Sequence, residues 1–196
     1  MNQTLETIRT RRSVRRFRPE PIGEDELQLI LEAATWAPSG SNNQSWLFTA
    51  IQSQKVLAEV NELVRQAALS WELPADAYPA KLGCQRSAAN AETFCFHAHT
   101  STLIIASNKP RYDNAMADCS CALENMFLAA TSLGLGSCWI NATAWATGYA
   151  PLREYLAQKG IPREHVICGS AAVGTIEGTL PQAPARKPGT TLIVRD

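Results

Sequence analysis

Residues 115–133 constrain the fold more than any other part of the chain. The segment is long and largely apolar, and its pattern predicts a helix. Its small residues, Ala117, Ala122, Ala129 and Ala130, suit close packing at the centre of a molecule. Gly134 or Gly136 is placed to close the helix, because glycine enters the left-handed conformation at little cost. No stretch reaches the length of a membrane-spanning helix. A buried position inside a globular protein is therefore expected. Hydrophobic content of 45% and charged content of 18% are in keeping with that, and the low charge suggests additional buried surface such as a subunit interface.

Leu103-Ile104-Ile105 predicts a core strand. Further strands are expected at Trp46–Ile51, Cys138–Ile140, Val166–Val173 and Thr191–Val194. Helices are expected over residues 4–11, 24–37, 54–69 and 151–159. In the second of these, Leu27, Ile30, Leu31 and Ala34 share one face, Glu24 and Asp25 sit in the first turn, and Pro38 follows as a stop. Pro74, Pro79 and Gly83 interrupt residues 71–98, which are expected to form a loop or short helices covering a pocket. Strands interleaved with helices, without repeats, predict an α/β or α+β fold, with residues 1–196 as one domain.

The 18 basic and 18 acidic residues balance, which argues against a dedicated nucleic-acid binder. Within that neutral chain, Arg11, Arg12, Ser13, Arg15 and Arg16 crowd into six positions. Guanidinium forks match phosphate oxygens, so the run reads as a phosphate pocket or as a solvated basic helix end. Residues 37–46 (APSGSNNQSW) offer small hydroxyls and amides for the edge of a flat polar ring, or form an ordinary turn. Arg186-Lys187 lies in a proline-rich tail and by itself reads as a surface pair. The polar start Met1-Asn2-Gln3-Thr4 lacks the apolar core of a signal peptide, so a cytoplasmic protein is expected. Its six cysteines are then expected as reduced thiols, with Cys138 the one nearest a motif. Cys95, His97 and His99 alternate and would share one face of a strand, but no second cluster completes a metal site, and none is expected. Neither Gly134-Leu135-Gly136 nor Gly169–Gly174 gives the three-glycine dinucleotide fingerprint.

Taken together, RRSVRRF at 11–17, APSGSNNQSW at 37–46, SLGLGSCWIN at 132–141 and PARKP at 184–188 resemble the FMN-dependent nitroreductase family in order and spacing. The resemblance implies an α+β fold: a three-layer α/β/α sandwich working as an intertwined homodimer, with FMN bound at the subunit interface. It also implies that Arg11, Arg12, Ser13 and Arg15 hold the FMN phosphate and ribityl chain, completed by Arg186 and Lys187. Pro38, Ser39, Gly40 and Asn42 of the partner subunit would line the isoalloxazine ring, and Cys138, Trp139, Ile140 and Asn141 would pass along its other side. NADH or NADPH would reduce the flavin, and a nitroaromatic, quinone or similar small acceptor would reoxidise it by a ping-pong route. No catalytic side chain, nucleic acid or membrane is implied. Two positions depart from the family pattern. Gln44-Ser45-Trp46 stands where Gln-Pro-Trp is usual, and Trp139-Ile140-Asn141-Ala142 lacks the acidic residue of better-known nitroreductases. The alternatives are a flavoenzyme of different chemistry on this fold (dehalogenase, flavin-fragmenting synthase or oxidase), with residues 71–98 setting the choice, and a non-catalytic flavin-binding protein.

Overall fold

The computed structural model describes residues 2–195. Its sheet has four strands, β1 (Leu47–Ile51), β2 (Thr102–Asn108), β3 (Gly136–Ile140) and β4 (Val166–Gly174), in the order β1-β2-β4-β3. Every neighbouring pair is antiparallel. All residues of β2 are buried, so the strand is covered on both faces. Leu103 and Ile105 face one core, Ile104 the other, as the two-residue period of a strand requires.

Each core is closed by helices. Leu57, Val60 and Val64 of α3 (Gln54–Leu69) and Leu152 and Leu156 of α7 (Ala150–Gln158) pack on the first face. Ile30 and Ala34 of α2 (Glu24–Thr35) with Ala122, Leu123 and Met126 of α5 (Ala115–Ser132) pack on the second. This is the expected α+β, three-layer α/β/α sandwich. A register shift opposite Ala106 and Ser107 places Cys168 in the same core as Ala171 and Val173. Helix α5 is only partly the central helix expected: Ala122 and Ala130 are buried against the sheet and α2, but Ala117 is exposed and Ala129 half-buried, because one side of the helix faces out of this layer. Gly134, with φ 75°, ends it, and Leu135 N–H closes back on Ala130 O at 2.8 Å. Gly136 instead begins β3.

Helix α1 (Gln3–Thr10) buries no residue. The remaining differences from expectation have local causes. Helix α2 stops at Thr35, before Trp36 and Ala37, because a residue preceding proline is pushed away from helical backbone. Within residues 71–98 a helix forms, α4 (Pro79–Ala88), with Pro79 at its first position, where the missing N–H has no helical partner to lose. A four-residue helix, α6 (Ala142–Trp145), follows β3. The Cys95–His99 run is a turn, not a strand. Ala98 and His99 both have φ 55°, His97 is buried and His99 exposed, so no common face forms. No cluster of three or more His, Cys, Asp or Glu able to hold a metal occurs among the described residues. Thr191–Val194 forms no strand. Leu192 is 88% exposed and Val194 81%, and a strand without a hydrogen-bonding neighbour has nothing to pair with. No helix among the described residues is long and apolar enough to cross a membrane.

His97 is buried beside Phe96 and His99, and its Nδ1 has no hydrogen-bond partner. Burial, and then the neighbouring His99, lower its pKa from 6.5 to about 4. Between those values the unfolded chain binds a proton that the folded chain refuses. Stability is therefore full above the unfolded value and is lost as pH falls toward the folded one. The expected loss from this residue is about 3 kcal/mol. Denaturant melts at neutral pH and near pH 4.5 measure it: the difference between the two should shrink in His97→Leu.

Candidate active site

The arginine run leaves the end of α1 and docks on β3. Val14 N–H donates to Ser137 O at 2.8 Å, and Ser13 pairs with Ser137 as an isolated parallel bridge. Val14 and Phe17 are buried as anchors, while Ser13 and Arg15 stay exposed. The approach is close: a Cβ on Gly136 would lie 2.9 Å from Val14 Cβ and 3.0 Å from Ile176 Cγ1. The anchored run lines a cavity of about 300 Å³ with Arg11, Arg12, Ser13 and Arg15, and the tail adds Pro184 and Arg186. Lys187 is not on its wall, and Arg16 turns away to Glu177 at 3.4 Å. Arg12 donates to the carbonyls of Arg9 and Arg11, both at 2.7 Å, which fixes its fork. Arg11 Nε lies 3.2 Å from Glu124 Oε1 but outside hydrogen-bond alignment. Both Arg11 Nε and Arg12 Nε are thus buried donors without an acceptor. Neither Arg15 nor Arg186 pairs with a carboxylate among the described residues. The cavity thus concentrates positive charge and unpaired donors, a chemistry that suits an anion.

Arg15 also stands on the wall of a second cavity, a trough of about 630 Å³. Tyr78, Phe94, Phe96, Trp139 and Trp145 supply aromatic walls, and none of its lining residues is acidic. Residues 71–98 build one side, with Trp71 and Tyr78 edge-on to Trp145 at 6.4 and 6.1 Å. Ile140 and Asn141 form the other. Trp139 Nε1 donates to Asn141 Oδ1 at 2.6 Å. The indole only donates, so it engages the amide oxygen of Asn141 and orients the amide with its NH₂ available as a donor. Gly169 makes room for that indole, since a Cβ there would meet Trp139 Cζ2 at 2.8 Å. Cys84 and Cys95 are half-buried on the trough wall, and burial pushes both thiols up. Cys138 is buried beneath it. Burial raises its pKa more than Arg15, Ser13 and Arg11 lower it, so it is a poor thiolate nucleophile.

Pro38, Ser39, Gly40 and Asn42 line neither cavity of their own chain. They lie on a loop whose Gly40–Asn42 portion makes one 3₁₀ turn. Ser41, Asn42 and Gln44 have φ of 51°, 54° and 47°, a left-handed backbone that costs non-glycine residues roughly 1–2 kcal/mol each. Two residues not singled out from the sequence hold this loop. Gly40 N–H donates to Asp118 Oδ1 at 3.1 Å, and Tyr112 OH donates to Asp118 Oδ2 at 2.7 Å. Asp118 beside it pushes the Tyr112 phenol above its ordinary value. A Cβ on Gly40 would lie 2.2 Å from Asn114 Nδ2 and 2.7 Å from Tyr112 Oη, so any other residue there would have to displace those two side chains. The available sequence signal was an acid, Asp118, in the first turn of a largely apolar helix.

A family model, the nitroreductase family, matches residues 8–175. The chain belongs to the nitroreductase family. A nitroreductase from Bacteroides fragilis NCTC 9343, solved with bound FMN, is 40% identical and superposes with a TM-score of 0.89 over 100% of both chains. A nitroreductase with bound FMN from Desulfitobacterium hafniense DCB-2 is 26% identical, with a TM-score of 0.81, covering 98% of this chain and 99% of the other. A protein of Archaeoglobus fulgidus, provisionally named an NADH dehydrogenase/NAD(P)H nitroreductase, is 31% identical over 174 residues, or 89% of this chain and 86% of that protein.

The close approach of Gly136 and Val14 gives a site-specific prediction. Gly136→Ala should lose about 1–3 kcal/mol of stability, because the Val14 Cβ it meets cannot swing aside. Thermal melts measure the loss. A change in proteolytic cleavage confined to residues 11–16 would report the displaced arginine run.

Proposed function

We propose that this chain is an FMN-dependent oxidoreductase that takes hydride from NADH or NADPH and reduces nitroaromatic, quinone or similar small acceptors as a homodimer. The observation that carries this reading is Arg15, which stands on the walls of both cavities. One ligand with an anionic end and a flat aromatic end would use both, and FMN has that form. The fit is supported by the unpartnered Nε groups of Arg11 and Arg12 at the anionic end, and by the aromatic trough at the other.

In this reading Arg11, Arg12, Ser13 and Arg186 hold the phosphate, and Arg15 spans phosphate and ribityl chain. Lys187 contributes long-range charge from outside the cavity. Trp139, Ile140 and Asn141, with Cys138 behind them, form one side of the ring site. Asn141 offers an amide N–H where charge develops on reduction. Pro38, Ser39, Gly40 and Asn42 belong to the site of a second copy, which accounts for their distance from the cavities of their own chain. A homodimer is further supported by α1, which buries nothing, by Trp36 at 78% exposure, and by the apolar tail at Leu192–Val194. When bound, FMN supplies the hydride and electron transfer that no side chain here provides. Reductant and acceptor use the same trough in turn, a ping-pong order in which the aromatic walls hold each flat and exclude water.

The purified protein should be yellow, bleach with NADH or NADPH under argon, and regain colour on adding a nitroaromatic or quinone. A colourless protein that gains no flavin spectrum on reconstitution overturns the reading. Arg11→Ala and Arg15→Ala should each weaken FMN binding by about 2–3 kcal/mol, as loss of charge-assisted bonds to phosphate does. Riboflavin, which lacks the phosphate, should bind wild type and Arg11→Ala alike. Fluorescence titration measures both.

A further inference from the structure

We propose that Asp118 is the positioning residue for the loop at residues 38–44: with Tyr112 it clamps Gly40, so that Asn42 is held out as a hydrogen-bond donor toward an acceptor edge of the flavin bound by a second copy. This rests on the FMN reading above. Asp118 is only 4% exposed, on the buried side of α5. A buried carboxylate is costly unless its oxygens are satisfied. Those of Asp118 face the Gly40 N–H, at 3.1 and 3.3 Å, and the Tyr112 hydroxyl at 2.7 Å. That hydroxyl also lies 3.1 Å from the Gly40 carbonyl oxygen. Both polar backbone groups of one glycine are therefore addressed by the same two side chains.

A second anchor fixes the far end of the loop. Ser45 Oγ donates to Asn108 Oδ1 at 2.7 Å, and Asn108 is fully buried at the end of β2. Between the anchors the loop is braced internally. Gln44 N–H donates to Ser39 Oγ at 3.1 Å, and Gln44 Nε2 donates to Asn42 Oδ1 at 2.7 Å. That bond draws on the amide oxygen of Asn42, while its NH₂ has no partner within the loop and can donate to a ligand. A ligand edge complementary to that NH₂ accepts hydrogen bonds. Backbone held in a sparsely populated conformation persists where surrounding contacts over-determine it, and such places cluster at ligand sites. The clamp and brace provide that over-determination for Ser41, Asn42 and Gln44.

The test uses full-length Asp118→Ala, Asp118→Asn and Tyr112→Phe proteins titrated with FMN. The absorption spectrum and midpoint potential of the bound flavin are read alongside the melting temperature. Asp118→Ala should weaken FMN binding about tenfold and shift both spectrum and potential. Tyr112→Phe should shift them in the same direction by less. Asp118→Asn, which keeps an acceptor for Gly40 N–H, should recover part of the loss. A lower melting temperature with wild-type affinity, spectrum and potential in Asp118→Ala means a merely structural residue and overturns the proposal. Should Asp118→Ala fail to fold, Tyr112→Phe decides by the same readings, wild-type values overturning the clamp and shifted ones supporting it. Wild-type protein that takes up no FMN overturns the flavin reading together with the clamp. Failure of the clamp alone is seen only in protein that binds FMN.

Discussion

Burial of β2 on both faces is the constraint on which the rest depends. A strand enclosed at every position leaves no face of the sheet centre open to ligand. Helices α3 and α7 on one side and α2 and α5 on the other occupy that space with side chains. The margin beyond β3 stays open, and there the arginine run docks through Val14 and Ser137. The cavities open there and not over the middle of the sheet. Gly136 and Gly169 belong to the same logic: each is a place where another part of the chain comes within contact distance of a strand.

The charge distribution follows from this architecture. The chain is neutral overall, yet Arg11, Arg12, Arg15 and Arg186 converge on one cavity. Among the described residues, Glu124 is the one carboxylate within 4 Å of any of them, and it lies there without hydrogen-bond alignment. Mutual repulsion among these cations is a cost that an anion seated between them would relieve. The aromatic trough beside it has no acidic wall residue, so no carboxylate on its wall would oppose negative charge on a ring seated there.

Much of the fold was legible because its signals are local. The apolar run at 115–133 gave α5 almost to the residue, and Leu103–Ile105 gave the heart of β2. The arginine run was legible as chemistry, since guanidinium groups in a neutral chain need an explanation, whereas Arg186 read as a surface residue until the family resemblance tied it to the run; the structure brings Arg11, Arg12, Arg15 and Arg186 to one cavity. Asp118 was not legible. Its meaning lies in a contact with Gly40, 78 positions away, and an acid near a helix start has a sufficient local explanation in the helix dipole. The Cys95, His97 and His99 alternation would share a face only on a strand, and the left-handed residues Ala98 and His99 turn the chain there instead. Thr191–Val194 has the composition of a strand and no neighbour to make it one.

The position of Arg15 between two cavities has a consequence for how ligands are selected. A molecule that fills both is tethered to itself: once one end is seated, the other searches a volume of only a few ångströms. Its effective concentration at the second half-site then reaches about the millimolar range or higher. Free phosphate or a bare aromatic ring gains none of this. Discrimination therefore acts on the distance between charge and ring, a molecular ruler whose two marks meet at one guanidinium.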